Sequence, residues 1–275
     1  MASKINPGVA VVTGASTGIG SVYADRLARR GYDLLLVARN RQLLQSLADR
    51  IQDQSGRSAE VLVADLSEAK GLAAVESRLR SDPKITLLVN NAGVASTTPL
   101  ADSDAEQMSA MIAVNVTALT RLTQAVIPGF IARKSGAIIN IASIVALAPE
   151  LLNGVYGGSK AFVLAFSQSL LHELGPKGIR VQAVLPGATR TPIWQLSGVN
   201  IDALLPGNVM TAEDMVDASL AGFDDGEFTT IPSLPNLADW NAFESAREAL
   251  KPNLSKGEPA SRYRARPQVA EKSAA

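Results

Sequence analysis

Apolar residues run almost unbroken through seven short segments of the chain: residues 9–13, 33–38, 59–64, 85–90, 137–142, 180–185 and a brief 229–231. Little polar alternation interrupts them, the pattern of strands buried on both faces of a parallel sheet. Between them, apolar positions recur at helical spacing over residues 19–30, 41–54, 67–80, 104–133, 155–174 and 212–221. Strict alternation of strand and helix, joined by right-handed crossovers, predicts an α/β fold: a single doubly wound, Rossmann-type domain with a parallel sheet of about seven strands and helices on both faces. Asp102 or Ser103 is placed to cap the long helix, and Thr211-Ala-Glu-Asp214 has the form of a capping box.

Two stretches break the alternation. Residues 188–210 mix Thr, Pro, Trp194, Gly198 and Leu-Leu-Pro-Gly just after a strand end, which predicts a substrate lid. Trp194, Leu196, Leu204 and Leu205 would give it an apolar underside. Beyond residue 231 a helical pattern covers about 237–250, and residues 251–275 are polar. With no long Pro/Gly/Ser linker before residue 250, the expectation is one domain over 1–250, lid included. The tail 251–275 reads as a solvated terminus, with an arm that packs on a neighbouring subunit as the alternative.

Composition narrows the partners. The 275 residues are 47% hydrophobic, enough for a substantial core, and Lys+Arg and Asp+Glu balance at 26 each. No global field would draw in nucleic acid or an anionic membrane, so the expected partner is a small molecule. The absence of cysteine rules out disulfides and thiolate metal sites. The start Met-Ala-Ser-Lys-Ile-Asn-Pro lacks the apolar core of a signal peptide. The longest apolar stretches fall short of the roughly 18–20 residues of a membrane span. A cytoplasmic protein is expected.

The candidate chemistry lies at strand ends. Thr13-Gly14-Ala15-Ser16-Thr17-Gly18-Ile19-Gly20 runs from the first strand into the first helix, where backbone N–H groups and the positive helix end would face a pyrophosphate. The second strand ends in Ala38-Arg39-Asn40. It lacks the acidic residue that holds the ribose hydroxyls of NAD, and a guanidinium there fits a 2′-phosphate, so Arg39 points to NADP. Tyr156 and Lys160 stand four residues apart on one helix face, about 5–6 Å apart at Cβ. The ammonium is expected to depress the phenol pKa and make the tyrosine a usable proton donor.

These residues, with Asp65, Asn90-Asn91-Ala92-Gly93, Asn115, Ser143 and Pro186-Gly187 followed by Thr191, stand in an order and spacing that resemble the short-chain dehydrogenase/reductase family. The resemblance covers roughly residues 8–232, about four-fifths of the chain. It implies NADP(H) as cofactor and no metal. In it Gly14, Ser16, Thr17, Gly18, Ile19 and Gly20 cradle the pyrophosphate, Asp65 and Leu66 hold the adenine, and Asn91, Ala92 and Gly93 bring backbone close to the adenine ribose. Asn90 braces the central strands, and Pro186, Gly187 and Thr191 meet the nicotinamide. The implied catalytic set is Asn115, Ser143, Tyr156 and Lys160: Ser143 holds a carbonyl oxygen, Tyr156 donates the proton, Lys160 serves both phenol and nicotinamide ribose, and Asn115 holds a relay water. The family commonly assembles through its long helices, so a homodimer or homotetramer is expected, with Leu119, Leu122, Phe162, Leu164 and Phe166 as outward apolar positions.

His172 lies sixteen residues past Tyr156, about 24 Å along one helix, too far to act with it. Asp65 has a competing reading as a helix cap, and Asp102, Asp104 and Glu106 read as helix-start acids. Two rival functions fit the same pattern: a 3-oxoacyl-carrier-protein reductase, for which Arg121, Arg133 and Lys134 would be the docking patch, and a non-catalytic NADP-sensing regulator. The regulator would be expected to lose Tyr156 or Lys160, and both are present.

Overall fold

In the computed structural model, which describes residues 7–196 and 200–264 apart from the side chains at 195, 196 and 204, each apolar segment forms a strand whose alternate residues face opposite layers. The strands are β1 (Val9–Thr13), β2 (Asp33–Ala38), β3 (Ala59–Val63), β4 (Ile85–Asn90), β5 (Gly136–Ile141), β6 (Ile179–Val184) and β7 (Thr229–Thr230). All pair in parallel in the order β3-β2-β1-β4-β5-β6-β7. The order reverses between β1 and β4, so a ligand crevice opens at the carboxyl ends of those strands.

The helices are α1 (Gly18–Arg29), α2 (Arg41–Ser55), α3 (Ala69–Ser81), α4 (Ala105–Ile112), α5 (Leu119–Arg133), α6 (Gly154–Leu174), α7 (Pro192–Leu196), α8 (Ile201–Leu204), α9 (Ala212–Asp225) and α10 (Leu237–Ala249). Ala10, Val12, Leu34 and Leu36 point into a core shared with α1, α2 and α9. Val11, Leu35, Val37, Leu88 and Ile138 point into a second core with α3, α5 and α6. Period two in the strands and two covering layers are one requirement seen twice. The chain divides into two compact units, Met1–Ser233 and Leu234–Ala275, where the sequence places its boundary at residue 250. The second unit holds α10, in which Trp240 and Phe243 pack at 5.3 Å between ring centroids. Part of the expected tail, residues 265–275, lies outside the described residues.

The long helical pattern departs from expectation in three ways. Its cap is Asp104, whose carboxylate accepts from the Gln107 amide at 2.8 Å. Asp102 instead ends a short 3-10 turn, and Ser103 Oγ donates to the Thr98 and Pro99 carbonyls. Between α4 and α5 the chain makes a π turn, Ala113–Ala118, which widens the helix at Asn115. Within the run Ala105–Arg133 an 18-residue window reaches a mean hydropathy of 1.4, long and apolar enough by length and composition to cross a membrane. The sequence reading misses this because Asn115, Thr120, Arg121 and Gln124 interrupt the apolar stretches. Leu122, Val126 and Phe130 of this run are buried in the second core.

The lid is not irregular: α7 and α8 lie within it. Its ends are stitched together by a parallel bridge of Thr189 with Met210 and by Arg190 N donating to the Met210 carbonyl at 2.8 Å. Trp194 Nε1 donates back to the Thr189 carbonyl at 2.8 Å, and Arg190 pairs with Asp202 at 2.6 Å. Leu205 is exposed, Gly198 lies outside the described residues, and the Leu196 and Leu204 side chains do too.

Candidate active site

The glycine turn leaves β1 with Gly14 at φ +66° and Gly18 at φ +57°, conformations that exclude most side chains. A Cβ on Gly14 would sit 2.8 Å from Asn91 Nδ2 and 2.9 Å from the Ala92 Cα. Ser16 is half-buried and Thr17 exposed, while Ile19 packs on the first core and Gly20 is buried. Thr17 is the residue before α1 but makes no side-chain cap. The first-turn amides of α1 therefore have no side-chain acceptor, which fits a phosphate-bearing group.

Asn91 holds this turn to the end of β4: its amide donates to the Thr13 and Gly14 carbonyls at 2.8 and 3.2 Å. Thr13 Oγ1 accepts from the Asn91 and Ala92 amides, both at 3.0 Å. Asn90 bridges neighbouring elements, donating at 2.9 Å to both Thr123 Oγ1 and Asn140 Oδ1. Gly93 is the close approach that lets these pieces meet the centre of the site: a Cβ there would lie 3.3 Å from Asn115 Oδ1 and 3.5 Å from Lys160 Nζ.

Arg39 and Asp65 stand together at the ends of β2 and β3. Their charged atoms are 3.7 Å apart, with the Arg39 side chain 71% exposed. Asp65 does not cap α3, whose preceding residue is Glu68. It accepts instead from the Ser67 amide and hydroxyl at 2.9 and 2.6 Å. Partial burial raises its pKa, but the Ser67 bonds and Arg39 outweigh that and hold it below the ordinary value. Leu66 is buried in the second core.

Ser143, Tyr156 and Lys160 converge where β5 ends and α6 begins. Ser143 Oγ donates to the Pro186 carbonyl at 3.4 Å and accepts from the Val145 amide at 3.3 Å. The Pro186 carbonyl also accepts from the Ile144 amide at 3.0 Å, placing Pro186-Gly187 beside Ser143. Lys160 is buried, and its Nζ donates to the Ile141 carbonyl at 2.9 Å. Asn115 is clasped from three sides: Oδ1 accepts from Val94 N at 2.9 Å, and Nδ2 donates to Val94 O at 2.9 Å and Ser159 Oγ at 3.0 Å. Thr191 Oγ1 donates to the Thr189 carbonyl at 3.3 Å, and its methyl would meet a Cβ on Gly18 at 3.1 Å.

The electrostatics correct one expectation. Burial pushes the Tyr156 phenol up to about 12, and the neighbouring Ser143 hydroxyl offsets only part of that. Burial likewise pushes Lys160 down to about 8. Spacing brings the two groups near each other, but burial disfavours both charged forms and sets the direction of both shifts. The phenol is held neutral, the form that donates a proton. Sequence reasoning also passed over Thr13, Asn153 and Ser159; the signals were a hydroxyl at a strand end before Gly14, an asparagine at a helix start, and a serine inside Tyr-Gly-Gly-Ser-Lys.

His172 is exposed on the last turns of α6, away from this cluster. Leu119, Leu122 and Leu164 turn out to be buried within the chain, so they are not outward positions. Phe162 and Phe166 stack on each other at 5.6 Å and remain half-buried.

Comparison with known proteins agrees with this architecture. Residues 8–202 match the family model for short chain dehydrogenases. A solved short-chain dehydrogenase from Sphingobium yanoikuyae in complex with NADPH is 49% identical, with a TM-score of 0.90 over 94% of this chain and 100% of that one. The bulky-bulky ketone specific alcohol dehydrogenase from Comamonas testosteroni is 43% identical, with a TM-score of 0.87 over 94% and 100% of the two chains. A very-long-chain 3-oxoacyl-CoA reductase from Anas platyrhynchos is 35% identical over 221 residues, 76% of this chain and 70% of that protein. The chain belongs to the short-chain dehydrogenase/reductase family and is an oxidoreductase by membership.

Proposed function

We propose that this protein transfers a hydride between NADP(H) and a neutral ketone or its secondary alcohol. The observation that carries the reading is the convergence of Ser143, Tyr156 and the buried Lys160 where β5 ends and α6 begins, with the Ser143 hydroxyl lowering the phenol pKa against burial. Two donors at one point match what a carbonyl oxygen needs as it gains charge. Ser143 holds that oxygen and Tyr156 Oη gives it a proton; in the oxidative direction the phenolate takes the proton back. Lys160 stabilises the phenolate as it forms, and Asn115 fixes the Val94 backbone and α6 around the lysine. The cofactor, when bound, supplies the hydride. The turn Gly14–Gly20, Asp65, Leu66, Asn91–Gly93, Lys160, Pro186, Gly187 and Thr191 would hold it, with Arg39 on the 2′-phosphate. The NADPH complex of the Sphingobium relative supports the choice of cofactor.

For the substrate, the segment that follows Ser143 carries exposed apolar side chains. Leu147 and Leu151, on the segment between Ser143 and α6, are 39% and 57% exposed, which suits a ketone with apolar substituents, and the Comamonas relative is described as bulky-bulky ketone specific. A carrier-protein substrate has less support, since two of the three docking cations are spent. Arg121 pairs with the buried Glu76 at 2.5 Å, and Arg133 donates to the Ile85 carbonyl at 2.5 Å. The reading includes a cytoplasmic enzyme that self-associates, supported by Ile112, Ile131 and Leu171 exposed on α4, α5 and α6. A screen of aryl and alkyl ketones against acyl thioesters with NADPH, followed by absorbance loss, tests it. Reduction of thioesters alone, or of nothing, overturns it.

A further inference from the structure

Asn153 precedes α6 and is 4% exposed, yet nothing in the hydride-transfer chemistry above uses it. Its Oδ1 accepts from the Val155 and Tyr156 amides at 2.9 and 3.4 Å, capping the helix at the residue that gives the proton. Its Nδ2 donates to the Thr98 carbonyl at 2.6 Å and to Ser103 Oγ at 3.2 Å, so the amide's hydrogen-bonding capacity is filled. An ordinary cap does less: Asn40 and Asn200 start α2 and α8 from exposed positions, each accepting a local amide. Ser103 in turn closes the Thr98–Ser103 turn on itself. That turn belongs to the segment leaving Gly93, whose Val94 and Ala95 pack with Met108, Met111 and Val145 around Tyr156.

We infer that Asn153 is a positioning residue that ties the Val94–Ser103 wall of the substrate site to the helix carrying Tyr156, with separate jobs for its two amide atoms. The inference rests on the ketone-reductase reading. Oδ1 sets the height of Tyr156 and is read in kcat. Nδ2 holds the wall and is read in the KM for ketone. Neither atom faces the glycine turn, so the KM for NADPH does not depend on it.

The test uses full-length protein, the best ketone from the screen above, and hydrogen exchange of residues 94–103. Asn153→Asp keeps the acceptor and removes the donor: kcat stays within about three-fold, ketone KM rises about ten-fold and exchange of residues 98–103 quickens. Asn153→Ala loses both atoms, so kcat also falls about ten-fold while the KM for NADPH stays within about two-fold. Ser103→Ala raises ketone KM as well, and adding it to Asn153→Ala changes little more, because the two act through one tether. Wild-type exchange and ketone KM in Asn153→Asp overturn the inference. So does an Asn153→Ala variant whose ketone KM, NADPH KM and melting temperature all shift together, the signature of a scaffold residue. Wild-type protein inert toward ketones overturns the underlying reading instead, and the exchange arm, which needs no turnover, separates the two failures.

Discussion

Lys160 Nζ stands 5.8 Å from the centre of the Tyr156 ring and donates to the Ile141 carbonyl 2.9 Å away. Phenol and ammonium are neighbours on adjacent turns of α6, but the nitrogen is anchored to the end of β5. The position of the ammonium beside the phenol ring therefore depends on strand and helix together.

Removing the proton donor while keeping the ring isolates the chemistry. Tyr156→Phe is expected to reduce kcat to below a few per cent of wild type with NADPH affinity nearly unchanged, checked by single-turnover kinetics and cofactor titration. Lys160→Met should weaken cofactor binding as well. Retained turnover in the phenylalanine variant rejects Tyr156 as donor.

Burial of Lys160 has a consequence for stability. Its folded pKa, about 8, lies below the ordinary 10.5, so between these values the unfolded chain binds more protons and stability rises with pH. The cost of burying the charge is complete below about pH 8 and fades as pH increases. Above pH 10 Tyr156, held near 12, opposes the trend, because there the folded state keeps a proton the unfolded chain loses. Between pH 8 and 10, wild type should gain about 2–3 kcal/mol relative to Lys160→Met in denaturant unfolding. Parallel curves for the two proteins would place the ammonium in a solvated site.

At Gly14 the backbone is left-handed and Asn91 closes the space a side chain needs. Gly14→Ala is expected to cost about 1–3 kcal/mol in stability and to weaken NADPH binding more than ten-fold, since the turn must shift away from the phosphate path. Cofactor titration of protein still folded at 20 °C checks this; an unchanged Kd shows that the turn does not carry the pyrophosphate.

The strands, their parallel pairing and the glycine turn were legible because buried strands and positive-φ glycines leave their mark in residue type, whereas the order of the strands in the sheet was not read from the sequence. The π turn at Asn115 was not: an extra residue in one helical turn alters no apolar spacing that a reader can separate from noise. Leu119, Leu122 and Leu164 looked outward because a helix layered between a sheet and other helices carries apolar residues in several directions. The i, i+4 pair gave the proximity of Tyr156 and Lys160, but pKa depends on solvation, which belongs to the assembled fold. Asn153 resembles any helix-start asparagine until its other amide atom is seen to bond residues fifty positions away in sequence.

The proposed preference for NADP rests on the Arg39 side chain, exposed at the end of β2 and 3.7 Å from Asp65. An exposed pair at that distance adds little to stability, so Arg39→Ala should leave the melting temperature nearly unchanged. A charge-assisted contact to a 2′-phosphate is worth about 1.5–3 kcal/mol, so the same change should raise the KM for NADPH about ten- to hundred-fold and leave NADH almost untouched. The single substitution removes a preference without creating the opposite one. Replacing Ala38 by Asp as well supplies an acceptor for the ribose hydroxyls and a charge that repels phosphate, so the double variant should favour NADH. Asp65 sharpens the test: with Arg39 gone its carboxylate has lost its partner beside the phosphate position, and NADPH should weaken further at low salt than at high salt. Steady-state kinetics with both cofactors, at two ionic strengths, measure all of this. Wild type that prefers NADH, or an Arg39→Ala variant that loses both cofactors equally, would show the arginine to be a surface residue and the NADP assignment to be wrong.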